Sequence, residues 1–218
     1  NEMKEGDESQ NPINKNSTDI DFSEEEVSFV LVGYPITKKA LLSFILGVVF
    51  EFWGCFLFLI SCLLAASPLT NVLCLWILLT IVAPYCGAHF NPSVTFGFYV
   101  YEKKYVAGLP RLFFYTGAQI LAATAAMWFS NGLKKEEEIN MFQHEMSYSE
   151  FMLECFYTGT FIYIILYCMS PITRFSQNRV LNFIVICSWL YYASTAAKAD
   201  SLGALNPSIV FMNTWFND

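Results

Sequence analysis

Charged residues are scarce in this chain, 14% of 218 residues where an average soluble domain has ~25%, so an ordinary soluble domain is excluded. Positive charge is never in excess: the net charge is −7, which argues against a nucleic-acid partner. The seven cysteines, Cys55, Cys62, Cys74, Cys86, Cys155, Cys168 and Cys187, lack metal-ligand spacing and sit in apolar segments. They read as small polarizable packing residues. Neither a catalytic nucleophile, a metal cluster nor a phosphate loop is evident, so no enzyme activity, no metal and no cofactor is expected. A basic-then-apolar leader is also missing from the N-terminus.

What remains is 55% hydrophobic and 17% aromatic. The acidity belongs to one segment: residues 1–26 hold nine acids and two bases, and the rest of the chain carries ten of each sign. This tail has no apolar periodicity and the composition of a disordered segment, and it is expected to dock on another protein chain. Ser23 with Glu26 forms a capping-box pattern, so a short helix or turn is expected before Val27 to Val32.

A helix needs ~20 mostly apolar residues to cross a bilayer. Five stretches qualify: Ala40 to Ala66, Asn71 to Gly87, Leu112 to Gly132, Phe151 to Met169 and Val180 to Ala197. Pro92 to Tyr101 and Pro207 to Phe216 are half as long, and at membrane depth such segments must be re-entrant and buried in protein, or interfacial. The organisation is an acidic tail and pre-membrane segment (1–39), a first membrane repeat (40–133), an acidic loop (134–150) and a second repeat (151–218). Ser147 and Glu150 mark a helix start at the end of that loop.

Two segments repeat. Gly87-Ala88-His89-Phe90-Asn91-Pro92-Ser93 and Gly203-Ala204-Leu205-Asn206-Pro207-Ser208 lie with their asparagines 115 residues apart. Each follows a span bearing one carboxylate, Glu51 or Glu154, a residue costly at membrane depth and functional by default. Asn is a strong N-cap and Pro at the first helical position loses no hydrogen bond, so each motif starts a short helix. An odd number of spans between the copies gives the halves opposite topology, and the two helix starts would meet near the midplane. There Asn91 and Asn206 can donate to the oxygen of a neutral solute, with Ser93 and Ser208 as adjacent lumen hydroxyls, while both positive helix ends disfavour cations. His89 is structural or pore-lining.

With these residues in view, the sequence resembles the aquaporin, or major intrinsic protein, family over about residues 40 to 216. The resemblance implies an all-α membrane protein: an inverted repeat with five spans and two re-entrant half-helices here. In that family the motif usually ends in Ala, where this chain has Ser93 and Ser208. Glu51 and Glu154 match the family's glutamates, which brace the re-entrant loops. Tyr115 to Gln119 resembles the third-span pattern. An ungapped count places Asn71, Ser194, Gly203 and Ile209 at the filter, with Ile209 where the family normally has Arg. A filter without that charge is either wide and apolar or closed by neighbouring Phe. Family members continue into a sixth span, whereas this sequence stops at Asp218; further sequence or another chain is expected in that place.

The lipid bilayer is thus one partner, and a homo-oligomer is implied by the family. Seven basic residues, Lys38, Lys39, Lys103, Lys104, Arg111, Arg174 and Arg179, share one side against Lys134, Lys135 and Lys198, which puts the N-terminus inside. Gly47, Gly54, Gly117, Ala118, Ala122 and Ala126 read as sites of close helix packing. Two functions fit: a passive channel for water, glycerol or another small neutral solute, or a non-conducting aquaporin-fold subunit of a larger membrane complex.

Overall fold

The computed structural model describes residues 27–31, 34–64, 67–133, 147–198 and 203–216. The acidic tail with its Ser23–Glu26 cap and expected docking partner, and the loop 134–146, lie outside the described residues. The chain first forms an antiparallel pair, β1 (Val27–Leu31) and β2 (Tyr34–Thr37), in the register Val27↔Thr37 and Phe29↔Ile36, with an irregularity between Val27 and Phe29. The sequence alone assigns no strand here, its short helix or turn being placed before Val27. The segment is rich in β-branched residues with an aromatic at Phe29, and Tyr34–Thr37 supplies a pairing partner that local sequence could not reveal.

Beyond the hairpin the described chain is helical. Thr37 Oγ1 accepts from Ala40 N at 3.1 Å and starts α1 (Lys38–Leu64), followed by α2 (Pro68–Cys86), α3 (Pro92–Glu102), α4 (Tyr105–Leu133), α5 (Tyr148–Met169), α6 (Arg179–Ala197) and α7 (Pro207–Phe216). Five of these, α1, α2, α4, α5 and α6, are long and apolar enough to cross a membrane. The two short helices α3 and α7, at 11 and 10 residues, are ~15 Å long at 1.5 Å per residue and cannot. The start of α4 lies well before the expected Leu112 and carries Pro110 inside the helix. The cap of α5 is as read from sequence: Ser147 Oγ accepts from Glu150 N, and Ser147 N donates to Glu150 Oε2 at 2.6 Å.

Helix α1 packs between α2 and α4, α2 reaches α6, and α6 packs on α5. Small residues let α1 approach α4 and the loop before α3 closely: a Cβ at Gly47 would sit 2.8 Å from Tyr115 Oη on α4, one at Gly54 would sit 2.2 Å from the loop's Phe90 ring, and Ala118, Ala122 and Ala126 are buried on α4. Gly117 differs, having open space around it. Leu59, Leu75, Leu79, Phe161, Phe183 and Ile186 fill the apolar centre. Outward-facing positions remain apolar, with Trp128 72% and Phe113 69% exposed, as a lipid-facing surface requires.

The short helices occupy the interior. Helix α3 packs on α4 and α5, α7 packs on α4, and α3 meets α7. We call the end of the bundle that carries the start of α1 the near face, and the end where α1 stops and α2 begins the far face. Helix α3 returns to the near face from which its loop entered, and α7 is its counterpart at the far face.

Candidate functional site

Each short helix is reached through a loop in unusual backbone conformation. Gly87 (φ 88°), Ala88 (φ 52°) and Phe90 (φ 50°) precede Asn91, and Gly203 (φ 62°) and Leu205 (φ 48°) precede Asn206. For residues with a Cβ the left-handed region costs ~1–2 kcal/mol, so something must hold these loops. The holding groups are the two carboxylates. Glu51 accepts from the backbone N–H of Phe90 and from that of His89 at 3.2 Å. Glu154 accepts from Leu205 N at 2.9 Å and Ala204 N at 3.2 Å. In both copies the bonded amides are the two immediately before Asn, so the duplication extends to individual hydrogen bonds.

The asparagines then cap their helices. Asn91 Oδ1 accepts from Ser93 N at 2.9 Å and Asn206 Oδ1 from Ser208 N at 3.0 Å. Their amide groups cross between the loops: Asn91 Nδ2 donates to Leu205 O at 2.8 Å, and Asn206 Nδ2 to Phe90 O at 3.0 Å. Both acceptors, Leu205 and Phe90, are left-handed residues directly before an asparagine. Two helix N-termini are thereby joined at one point, and the second N–H of each amide takes no acceptor among the described residues.

A network behind the first loop was only partly visible in sequence. Gln119 Nε2, on α4, donates to Glu51 Oε1 at 2.7 Å and to Thr95 Oγ1 at 2.9 Å. Thr95 donates to Asn91 O at 3.1 Å and meets His89 Nδ1 at 3.2 Å. Cys86 Sγ lies 3.4 Å from Glu51 Oε2 and accepts from Ala88 N, a role beyond packing that its position in an apolar run did not disclose. Thr95 follows Asn91 by one helical turn, and Gln119 is an amide in an otherwise apolar span; those were the available signals.

The remaining residues fall as follows. His89 is buried, stacked on Phe98 at 4.7 Å. With Gly87, Ala88, Phe98, Phe161 and Phe183 it also lines a cavity of ≈ 30 Å³, room for about two waters. Ser93 is half-buried. Ser208, expected as a lumen hydroxyl, is instead fully buried, and its Oγ has no hydrogen-bond partner among the described residues. Of the four filter residues, Ser194 and Gly203 are adjacent, since a Cβ at Gly203 would lie 2.8 Å from Ser194 O. Asn71 accepts from Ser61 Oγ at 3.2 Å and makes no described hydrogen bond to the other three. Ile209 is half-buried against the apolar core. Among the described residues no three His, Cys, Asp or Glu side chains are placed to hold a metal ion.

A family model described as major intrinsic protein matches residues 38–215. Among curated proteins there is no match. Among solved structures, the chain is similar to the X-ray structure of the aquaglyceroporin from Plasmodium falciparum. The two are 19% identical with a TM-score of 0.66, over 79% of this chain and 81% of that one, a likeness of fold. With the family model reaching from α1 into α7, the chain belongs to the major intrinsic protein family.

Proposed function

We propose that the chain is a passive channel, not an enzyme, conducting water or a small neutral solute across the membrane in which it is an integral, multi-pass protein. The observation that carries this reading is the meeting of the two half-helices. Each N-terminus is worth roughly half a positive charge, so the junction repels cations and protons. The free N–H of Asn91 and Asn206 offers a donor to a solute oxygen at the same place. Glu51 and Glu154 act as braces that keep the loops in their strained form, and Pro92 and Pro207 start the helices without wasting a donor. Ser93 and His89 belong to the near half of the path, and Asn71, Ser194, Gly203 and Ile209 to the filter of the far half. A filter of this uncharged set suits small polar solutes other than ions.

The orientation follows from the basic residues. Lys38, Lys39, Lys103, Lys104, Arg111, Arg174 and Arg179 cluster at the near face, which is therefore the inner one. A non-conducting member of the same fold is the second reading. The Phe98, Phe161 and Phe183 side chains around a cavity of only ≈ 30 Å³ favour it, since apolar constrictions close by dewetting.

Stopped-flow shrinkage of vesicles reconstituted with the protein separates the two readings. Osmotic water or glycerol flux well above that of empty vesicles is expected, and flux equal to empty vesicles with folded protein overturns the channel.

A further inference from the structure

One turn of α1 addresses a single residue of the first loop through three different groups. Glu51, Gly54 and Cys55 stand at i, i+3 and i+4 and therefore share one helix face. Glu51 takes the Phe90 N–H. Gly54 leaves room for the Phe90 ring, which a Cβ there would strike. The thiol of Cys55 meets the Phe90 carbonyl, with Sγ 3.6 Å from Phe90 O, and Gln119 O on α4, at 3.9 Å, is the more distant acceptor for the same proton. Cys55 is fully buried, so bulk water does not compete for that proton.

Phe90 O is also the acceptor of Asn206 Nδ2, at 3.0 Å. It thus takes two donors, one from α1 and one from the residue that caps α7. The second repeat is built differently. Leu205 O accepts from Asn91 Nδ2 at 2.8 Å, but Tyr157 and Thr158, three and four residues after Glu154, make no hydrogen bond to it among the described residues. A carbonyl held by a second donor cannot swing with the amide bound to it, whereas one held by that amide alone can. The Phe90 carbonyl is a fixed post for Asn206, while Leu205 O and Asn91 are free to shift together.

We infer that Cys55 is a positioning residue of the central junction: its S–H fixes the Phe90 carbonyl and, through it, the direction in which Asn206 offers its remaining N–H to a solute. The consequence for flux rests on the channel reading; the geometry does not. A thiol that only filled space would leave Phe90 O to Asn206 alone, and a side chain without a donor would serve as well.

The test uses the full chain in vesicles, with Cys55→Ser, which keeps a donor, and Cys55→Ala, which removes it. The infrared S–H band of Cys55, isolated as the difference between wild type and Cys55→Ser, is expected below the frequency of an unbonded thiol. In an Asn206→Ala background it should fall further, because the carbonyl has lost its competing donor. S–H···O bonds are weak, so Cys55→Ala should lower osmotic water flux about two- to fivefold, and Cys55→Ser should keep most of it. A band at the unbonded frequency, or one indifferent to residue 206, overturns the proposal whether or not Cys55→Ala folds. Where wild-type vesicles conduct, unchanged flux in Cys55→Ala or an equal loss in Cys55→Ser overturns it too. Where wild-type vesicles pass no water and the band still responds to residue 206, the thiol's place at the junction stands and the channel reading falls.

Discussion

Replacing Thr95 by Val keeps the shape of the side chain and removes one hydroxyl at the centre of the buried network. That hydroxyl accepts from Gln119 Nε2 at 2.9 Å, meets His89 Nδ1 at 3.2 Å and donates to Asn91 O at 3.1 Å. Thr95 is 2% exposed and Gln119 fully buried, so water cannot replace the lost partners. Asn91 O retains the backbone N–H of residue 95 at 3.0 Å and suffers least. One N–H of Gln119 and the His89 nitrogen are orphaned at ~1–3 kcal/mol each, and the added methyl returns about 1 kcal/mol of apolar burial. The net expectation is a loss of about 1–5 kcal/mol, read as a lowered unfolding midpoint in detergent, and a reduced water flux because Asn91 and His89 lose their common anchor. Thr95→Ser keeps the hydroxyl and should cost only about 1 kcal/mol. A double-mutant cycle with Gln119→Leu isolates the α3–α4 bond. Interhelical bonds in membrane bundles couple by ~0.6 kcal/mol on average and up to ~1.7, and a value in that range is expected. Strict additivity, or a Thr95→Val protein as stable as wild type, would refute the network argument.

Other substitutions probe the loops. Gly54→Ala places a methyl 2.2 Å from the Phe90 ring, and overpacking of this kind costs ~1–3 kcal/mol; stability and flux should both fall, and Phe90→Ala in the same chain should restore stability in part. Gly203→Ala meets the Ser194 carbonyl at 2.8 Å and a φ of 62°, so a loss of ~1–2 kcal/mol is expected in unfolding measurements, with Gly117→Ala, where the space is open, as the neutral control. Asn206→Ala removes a helix cap worth ~1 kcal/mol together with the bond to Phe90 O; vesicle water flux should drop to the level of empty vesicles while the protein still folds, and retained flux would show that solute passes elsewhere.

Much of the architecture was legible because the forces that set it are local. Asn91-Pro92 and Asn206-Pro207 announce helix starts through capping and proline geometry, and Glu51 and Glu154 stand out because a carboxylate is costly in an apolar span. Pairing was not legible. The hairpin Val27–Thr37 depends on a strand partner, and its aromatic and β-branched residues would serve equally in a helix buried elsewhere. Thr95 and Gln119 are separated by 24 residues, and nothing in either segment states which polar group the other will face. Ser208 shows the converse: the motif places its backbone, while burial of the hydroxyl depends on how α7 seats in the bundle.

By itself, therefore, the sequence determined the spans, the duplication, the two helix starts and the carboxylates, since hydrophobic length, capping and desolvation act over a few residues. Only the tertiary structure decided that each asparagine amide would hold the opposite loop's carbonyl, that Gly54 would make room for Phe90, and that Gly203 would lie against the Ser194 carbonyl. These contacts join segments remote in the chain, and they exist only once packing has brought the segments within hydrogen-bond or van der Waals reach.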